Sequence, residues 1–346
     1  MRIVSVQAVP EVAPPRANPV RDALQTLDGG GSVRVSITTD DGLVGHSDTW
    51  FGRLRGAPGV LAKLIDDELA PAVVGKDPFL VRQIHDELWW LTDYHGSTGL
   101  ATLGIAAIDI ALWDVMGKAA NLPVWKLLGA RRESVPAYAM VGWLNWDLDE
   151  LRIISEKAME QGFLGVKVKV GSPTLEEDVQ RIEAGRGVIG KTSKLMVDAN
   201  QVFPLNEALR RGRVYGELGC YWFEEPLRAD DTDGLATLAA ALDIPIATGE
   251  NNYGKRQFKE LLTRRAVDIV QPDLRRAGGV TECFEVGLMA DAFNVPYASH
   301  GGGVHLHVLA ALPNTLYMES GLLPEDGSIE LTDGCYPLPE APGFGK

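Results

Sequence analysis

The chain of 346 residues is too long for one small core and has the length of a large barrel or of two ordinary domains. Hydrophobic residues make up 45% and charged residues 23%, a balance typical of soluble globular proteins. The net charge of −14 argues against a nucleic-acid-binding face and against an anionic membrane surface. We therefore expect neither nucleic acid nor a membrane as a partner.

The lack of a visible targeting signal and the few cysteines both favour a cytoplasmic protein. The first ten residues lack a basic start followed by an apolar block, and no apolar stretch reaches the length of a membrane span. Cys220, Cys283 and Cys335 are too few and too scattered for a disulfide framework or a zinc site. We expect a cytoplasmic protein with reduced thiols.

Residues 1–128 are predicted to form an α+β domain. Alternating polar and apolar residues predict strands at 32–39 and 43–47, joined by a hairpin turn at 40–42. The preceding loop, about residues 13–31, is long enough that we expect a flexible lid or disorder. Residues 106–116 are apolar over most of a helical circumference and should form a buried helix.

Residues 129–320 show a different rhythm, in which eight short apolar runs alternate with amphipathic helical stretches such as 175–186 and 281–293. The runs lie at 135–141, 165–170, 195–200, 221–225, 244–250, 267–273, 295–300 and 316–319. This alternation is typical of βαβ units, and eight strands favour a parallel TIM-like (β/α) barrel over a doubly wound open sheet. Residues 321–346 lack the rhythm and are predicted to return to the first domain.

Ionisable residues end seven consecutive predicted strands. In chain order they are Lys167 and Lys169, Asp198 with Asn200, Glu224 and Glu225, Glu250, Asp273, His300 and Glu319. The carboxyl ends of barrel strands form one rim, where active sites lie. Burying unpaired charges there is unfavourable unless they serve chemistry, so the pattern predicts an active site.

Three acids from adjacent strands supply hard oxygen donors. Asp198, Glu224 or its neighbour Glu225, and Glu250 suit Mg²⁺, which takes a few carboxylates and keeps other positions for water or substrate. The alternative is that these acids form salt bridges with neighbouring lysines.

The lysines are unusual in their own right. Lys167 and Lys169 are two residues apart in a strand and therefore point to the same face. Repulsion between them and lost hydration are expected to lower their pKa values and let one act as a base. The alternative is a pair of structural lysines that neutralise the acids.

Asp273 and His300 end neighbouring strands. A carboxylate bonded to one ring nitrogen fixes the imidazole tautomer and leaves the other nitrogen ready for proton transfer. Glu319 either donates a hydrogen bond in its protonated form or pairs with a lysine. His305 and His307 stay unassigned because they lie where a helix is expected.

Six ordered motifs resemble the enolase superfamily, mandelate racemase subgroup. They are Lys167-Val-Lys169, Val197-Asp-Ala-Asn200, Phe223-Glu-Glu-Pro226, Thr248-Gly-Glu-Asn251, Gln271-Pro-Asp273 and Ser299-His300. The resemblance covers nearly the whole chain. It implies an α+β capping domain that supplies a lid, a (β/α)7β barrel with one Mg²⁺ per subunit, and a homo-oligomer.

The resemblance also implies roles for the residues. Asp198, Glu224 and Glu250 become the metal ligands, Glu224 being chosen over Glu225 on this ground alone. Lys169 becomes the base on one side of the substrate, and His300 with Asp273 the acid or base on the other. The supporting roles are those of Lys167 in positioning the substrate carboxylate, Glu319 in sharing a proton with it, and Asn200 beside the metal.

The implied reaction is abstraction of the proton α to a carboxylate, which gives an enediolate stabilised by Mg²⁺. Dehydration of a sugar acid to a 2-keto-3-deoxy acid is favoured, partly because the predicted lid carries polar residues: Arg16, Asn18, Arg21 and Asp22. The alternatives are a racemase, epimerase or cycloisomerase, and more remotely a non-catalytic binding or structural protein. Candidate substrate contacts, with ordinary packing as the alternative, are Arg16, Trp50, Tyr94, His95, Trp143, Asn145 and Asn200.

Overall fold

The computed structural model describes residues 1–345, which form an antiparallel sheet with helices followed by a closed parallel barrel. In the first region the strands are β1 (Ile3–Val12), β2 (Val20–Arg21), β3 (Thr26–Leu27), β4 (Gly31–Thr39) and β5 (Val44–Phe51). Its helices are α1 (Ala57–Leu64), a π-helical turn (Ile65–Leu69), α2 (Ala70–Val73), a 3₁₀ turn (Pro78–Leu80), α3 (Val81–Gly96), α4 (Leu100–Ala119) and α5 (Val124–Leu127). We call this region the cap.

The cap sheet has the order β1-β4-β5, and β4 and β5 form the predicted hairpin. Within the long predicted loop, β2 and β3 pair with each other, so part of it is an ordered hairpin. Asp22 makes the turn, because its Oδ1 accepts hydrogen bonds from the backbone N–H groups of Leu24 and Gln25. We call residues 20–27 the lid hairpin.

Helix α4 is the core helix of the cap, as its apolar circumference predicts. It is buried from Gly104 to Gly117. Contrary to the expectation from sequence, this one helix is long and apolar enough to cross a membrane by length and composition. In the fold, 78% of its apolar window is buried inside the protein, which is the environment of a core helix.

The barrel has eight parallel strands: β6 (Ser134–Met140), β7 (Gly165–Lys169), β8 (Lys194–Asp198), β9 (Phe223–Glu224), β10 (Ile246–Thr248), β11 (Ile269–Val270), β12 (Tyr297–Ala298) and β13 (Thr315–Ser320). Pairing of β13 with β6 closes the sheet and confirms the barrel over the open sheet. The helices are α6 (Leu148–Glu160), α7 (Leu175–Ile189), α8 (Leu205–Glu217), α9 (Thr232–Ala241), α10 (Gly254–Thr263), α11 (Leu274–Ala277), α12 (Val280–Ala292) and α13 (His305–Ala311).

Several barrel strands are shorter than the apolar runs predicted. The reason is that the residues at the rim leave the ladder and turn into loops: Asn200 and Glu225, which follow β8 and β9, have φ values of 45° and 40°. Side-chain hydrogen bonds fix the first residues of two barrel helices. Capping boxes begin α6, with Asp147 and Glu150, and α7, with Thr174 and Glu177.

Residues 321–345 contact both regions, and residue 346 of the predicted tail lies outside the described residues. Strand β14 (Cys335–Pro337) pairs antiparallel with β6, and the Phe344 N–H donates to Asp114 Oδ1 of helix α4. His305 and His307 are buried in α13. The Tyr297 hydroxyl lies 2.7 Å from His305 Nε2, and His307 Nδ1 accepts from the Trp125 N–H. Both histidines therefore have local structural partners.

Candidate active site

The barrel brings the predicted strand-end residues to one rim. In the strand register Lys169 is opposite Asp198, and Asp198 is opposite Glu224. A bridge outside the strands pairs Asp273 with His300. Residues that are far apart in the sequence become neighbours because parallel strands align their carboxyl ends.

Asp198, Glu224 and Glu250 form a buried acid triad whose ligand oxygens lie within 4.8 Å of one another. The triad contains Glu224 rather than Glu225. Burial, and then the charges of Asp198, Glu319 and Glu250, raise the pKa of Glu224 to about 8 despite the nearby Lys167. A cluster with this excess of negative charge fits a divalent cation, and three carboxylates are hard donors of the kind that Mg²⁺ prefers.

Lys167 and Lys169 lie on β7 with only 1% and 5% of their surface exposed. The Lys169 ammonium lies 2.5 Å from Asp198 Oδ2, and that of Lys167 lies 2.5 Å from Glu224 Oε1. Burial acts to lower the pKa of each ammonium group, but the surrounding carboxylates outweigh burial and raise both pKa values. The predicted lowering is wrong for this arrangement, because the acids rather than the second lysine dominate the local field.

The alternative of lysine–acid ion pairs is thus present in the structure. It is compatible with a metal site, since each triad carboxylate has two oxygens with two lone pairs each. Of the two possibilities left open for Glu319, the structure shows the pairing: its Oε2 binds the Lys167 ammonium. Burial disfavours the charge of Glu319, but Lys167 and His300 outweigh it and lower the pKa of Glu319 to about 2.

Below the rim, three residues that sequence reasoning did not assign hold the acids in place. The Trp222 indole and the Gln271 amide both donate to Glu224 Oε2, at 3.0 and 2.9 Å. The Tyr138 hydroxyl donates to Glu319 Oε2 at 2.7 Å. Strand alternation could have found two of them, because Gln271 and Trp222 lie two residues before Asp273 and Glu224.

Asp273 and His300 form a hydrogen-bonded dyad. His300 Nδ1 lies 2.7 Å from Asp273 Oδ2, and His300 Nε2 lies 3.1 Å from Glu250 Oε2. Burial acts against the imidazolium, but Glu250, Asp273 and Glu319 outweigh it and raise the pKa of His300 to about 9. Asp273 also caps α11, accepting from the backbone N–H groups of Arg275 and Arg276. Its carboxylate orients the imidazole so that Nε2 faces the acids.

Arg276 and Asn251 are further residues that were not predicted. The Arg276 guanidinium donates to the Glu250 carbonyl and to Asn251 Oδ1, each at 3.0 Å. The Asn251 amide in turn donates to Glu225 Oε1 at 2.7 Å. Glu225 is therefore outside the triad, and its buried carboxyl is hydrogen-bonded to an amide rather than to a lysine.

Of the predicted substrate contacts, Trp143 and Asn200 lie at the rim, whereas Arg16 and Trp50 contact each other. Trp143 lies at the rim, with the Lys169 ammonium 5.4 Å from its ring centroid, and Asn200 is buried with no hydrogen-bond partner for its Oδ1 among residues 1–345. The Arg16 guanidinium lies over the Trp50 ring, 5.8 Å from its centroid.

The three remaining candidates, Asn145, Tyr94 and His95, have other surroundings. Asn145 binds the backbone of Pro19 and Arg21 through its amide. Tyr94 is 92% exposed on α3 and contacts the neighbouring His95.

Carboxylates for a cation, a buried ammonium and an oriented imidazole, all at the rim of a (β/α)7β barrel, define a metal-dependent proton-transfer enzyme. Residues 4–129 match the mandelate racemase / muconate lactonizing enzyme N-terminal domain, and residues 151–346 match the enolase C-terminal domain-like family. The chain therefore belongs to the enolase superfamily, in its mandelate racemase subgroup.

Individual relatives are similar to this chain over most of their length. Arabinonate dehydratase of Saccharolobus solfataricus is 38% identical, over 90% of this chain and 87% of the relative. A racemase from Streptomyces coelicolor A3(2), solved with bound magnesium, has a TM-score of 0.93 and 32% identity over 99% of this chain and 96% of that one. L-Talarate dehydratase from Polaromonas sp. JS666, solved with Mg and L-glucarate, has a TM-score of 0.90 and 34% identity over 99% and 94%.

Proposed function

We propose that this protein is a Mg²⁺-dependent carbon–oxygen lyase that removes water from a sugar acid and forms a 2-keto-3-deoxy acid. The observation that carries the proposal is the distribution of the proton-transfer groups. Lys169 comes from β7 and His300 follows β12, and the strands between them contribute Asp198, Glu224 and Glu250. The chain thus has separate groups to take and to give a proton around one cation site.

Asp198, Glu224 and Glu250 would hold the cation. When bound, Mg²⁺ offsets the carboxylate charge that holds Lys169 protonated, and it stabilises the negative charge that develops on the substrate carboxylate. Lys167, paired with Glu224 and Glu319, is the cationic group that orients that carboxylate from the barrel interior.

In the proposed reaction, neutral Lys169 takes the α-proton, and the electron pair of the broken C–H bond moves into the enediolate. His300 then gives its Nε2 proton to the β-hydroxyl, the C–O bond breaks, and water leaves. The resulting enol tautomerises to the 2-keto acid. Asp273 keeps the Nδ1–H of His300 in its hydrogen bond, so that Nε2 is the nitrogen that exchanges the proton.

The racemase among the solved relatives makes racemisation or epimerisation the second candidate, since a second group on the opposite face could return the proton instead of expelling water. Both outcomes begin with loss of the α-proton. The difference lies in what His300 protonates: a hydroxyl oxygen or the α-carbon.

We further propose a cytoplasmic homo-oligomer. Exposed aromatic side chains on α3, Trp90 at 68% and Tyr94 at 92%, offer apolar surface that assembly would bury. Light scattering of the purified protein tests this point, because a monomer at micromolar concentration would contradict it.

The activity is tested with arabinonate, L-talarate, L-glucarate and other mono- and diacid sugars in D₂O, with Mg²⁺ or with EDTA. We expect Mg²⁺-dependent loss of the α-proton NMR signal and formation of a 2-keto-3-deoxy acid from at least one acid. Exchange or inversion without water loss would favour the racemase. The absence of exchange with every acid would contradict both.

A further inference from the structure

The loop between β6 and α6 touches both the predicted base and the lid hairpin. On one side, the ring of Trp143 lies beside the Lys169 ammonium, 5.4 Å from its centroid. On the other, Asn145 Oδ1 accepts from the Arg21 N–H at 2.7 Å, the Asn145 amide donates to the Pro19 carbonyl at 3.1 Å, and the Leu144 N–H donates to the Arg21 carbonyl. We call residues 141–147 the platform loop.

One buried side chain holds this loop in place. The Arg181 guanidinium, on α7, donates to the carbonyls of Gly142 at 3.0 Å, Trp143 at 2.8 Å and Trp146 at 2.8 Å. Its Nε also donates to the Lys169 carbonyl at 3.3 Å. Arg181 is 6% exposed, and these four acceptors are all backbone oxygens.

The bonds of Arg181 reach the base as well as the loop. The Gly142 carbonyl accepts from both Arg181 and the Lys169 N–H, so the end of β7 and the start of the platform loop share one acceptor. A planar guanidinium can bond such diverging oxygens at once, whereas an ammonium is a compact donor that cannot span them. Without Arg181, each of the four carbonyls would lose a hydrogen-bond donor, and those of Lys169 and Trp146 would need a new partner such as water, which the loop would have to move to reach.

We infer that Arg181 is a positioning residue that clamps the platform loop, and through it sets both the place of Trp143 beside Lys169 and the docking of the lid hairpin. The inference deepens the proposed function, on which it rests for the role of Lys169. Arg181 does not touch substrate; it acts through the loop.

The test compares Arg181→Lys with Arg186→Lys. Arg186 lies on the same helix and also donates to three backbone carbonyls, those of Gly190, Ser193 and Gly219, at the end of the helix away from the rim. Each variant loses hydrogen bonds from one arginine to backbone carbonyls, but of the two arginines only Arg181 contacts the platform loop. The readouts are kcat and KM with an acid that the wild type dehydrates, and hydrogen exchange of the backbone amides of residues 20–22.

For R181K we expect kcat to fall about 10²-fold, which is what a displacement of about 1 Å at a catalytic group produces. The lid amides should exchange at least about tenfold faster, because the bond from the Arg21 N–H to Asn145 is weakened. R186K should keep both readouts within about twofold of the wild type. Equal behaviour of the two variants, or unchanged lid exchange in R181K, would overturn the inference.

If R181K does not fold, Trp143→Leu and Asn145→Ala separate the two contacts of the loop. Trp143→Leu should lower kcat and leave lid exchange unchanged, and Asn145→Ala should speed lid exchange. Unchanged lid exchange in Asn145→Ala would overturn the docking. Inactivity of the wild type with every acid would contradict the proposed function instead, and the exchange of the lid amides, which needs no substrate, would then decide the clamp.

Discussion

Two polar clusters of this molecule differ in how many charged groups they bring together. The rim cluster comprises Lys167, Lys169, Asp198, Glu224, Glu250, Asp273, His300 and Glu319. The interface cluster, between cap and barrel, comprises Asp109, Trp113 and Thr281. There Asp109 of α4 accepts from the N–H of Thr281 at 3.0 Å and from its hydroxyl at 2.5 Å, and the Trp113 indole donates to the same hydroxyl at 3.0 Å.

This difference separates polar residues that join the two regions from charged residues that serve function. In the interface cluster, one cap carboxylate satisfies the N-terminus of the barrel helix α12, so its polar atoms serve the joining of the two regions. In the rim cluster, burial together with the neighbouring acids raises the pKa of Glu224 to about 8. Such a concentration of charge is unfavourable for the fold and is typical of sites that bind a cation or substrate. Substitutions should therefore lower activity at the rim and stability at the interface.

The largest effect is expected for Glu224→Gln. Loss of one triad carboxylate should remove about 5 kcal/mol of charge stabilisation, roughly 10⁴-fold in kcat, together with Mg²⁺ binding in calorimetry. The metal-free protein should melt no lower than the wild type, because burial already disfavours the Glu224 charge. A marked fall in melting temperature with Mg²⁺ binding retained would mean that Glu224 serves stability rather than cation binding.

Lys169→Met and His300→Asn should each lower dehydration by about 10³-fold, the range of a lost general base or acid. The two should differ in exchange: Lys169→Met loses α-proton exchange in D₂O, while His300→Asn keeps it. Lys63→Met, at an exposed lysine of the cap, is the matched control and should behave as the wild type. If His300→Asn lost exchange and Lys169→Met kept it, the roles would be exchanged.

At the interface, the carboxyl of Asp109 should make stability depend on pH. Burial, opposed by the nearby His85 and by the Thr281 hydrogen bonds, raises the pKa of Asp109 to about 6 from 3.8. The folded state then binds the proton more tightly than the unfolded chain, so the contribution of Asp109 to stability falls as pH rises from about 4 to about 6. The difference is about 3 kcal/mol, at 1.36 kcal/mol per pKa unit.

Urea unfolding of the wild type and of Asp109→Asn from pH 4.5 to 7.5 measures this dependence. The stability of the wild type relative to the variant should decrease over the range and level off above pH 7. A relative stability that rises with pH would contradict the raised pKa.

The smallest effect is expected for Thr281→Val, which keeps the volume of the side chain and removes its hydroxyl. Stability should fall by about 1–3 kcal/mol, because the Trp113 indole and Asp109 Oδ1 each lose a buried partner. The kcat of dehydration should stay within about twofold of the wild type. A kcat loss comparable with that of Lys169→Met would show that the interface cluster also serves catalysis.

Much of the barrel and of its rim could be predicted from the sequence. The alternation of eight apolar runs with helical stretches fixes the strand order, and parallel strands bring their carboxyl ends together, which gathers Lys169, Asp198, Glu224 and His300 without knowledge of any contact. The motif resemblance added the choice of Glu224 over Glu225. The acid triad of the structure contains that residue.

The remainder depends on distances between residues remote in the sequence. Burial lowers the pKa values of Lys167 and Lys169, and ion pairing with carboxylates raises them. The net rise depends on the positions of acids such as Asp198 and Glu224, which the sequence does not give. The polar lid residue Asp22 forms its own turn, and Asn145 binds the lid backbone.

Local pattern and residue chemistry are carried by the chain itself, so the sequence alone determined the class of fold, the rim and the types of groups on it. Which oxygens meet which cations, how the lid hairpin docks, and that Arg181 bonds the platform loop were decided only by the tertiary structure. The physical reason is that electrostatic and hydrogen-bond energies depend on separations of a few ångströms, which periodicity does not encode.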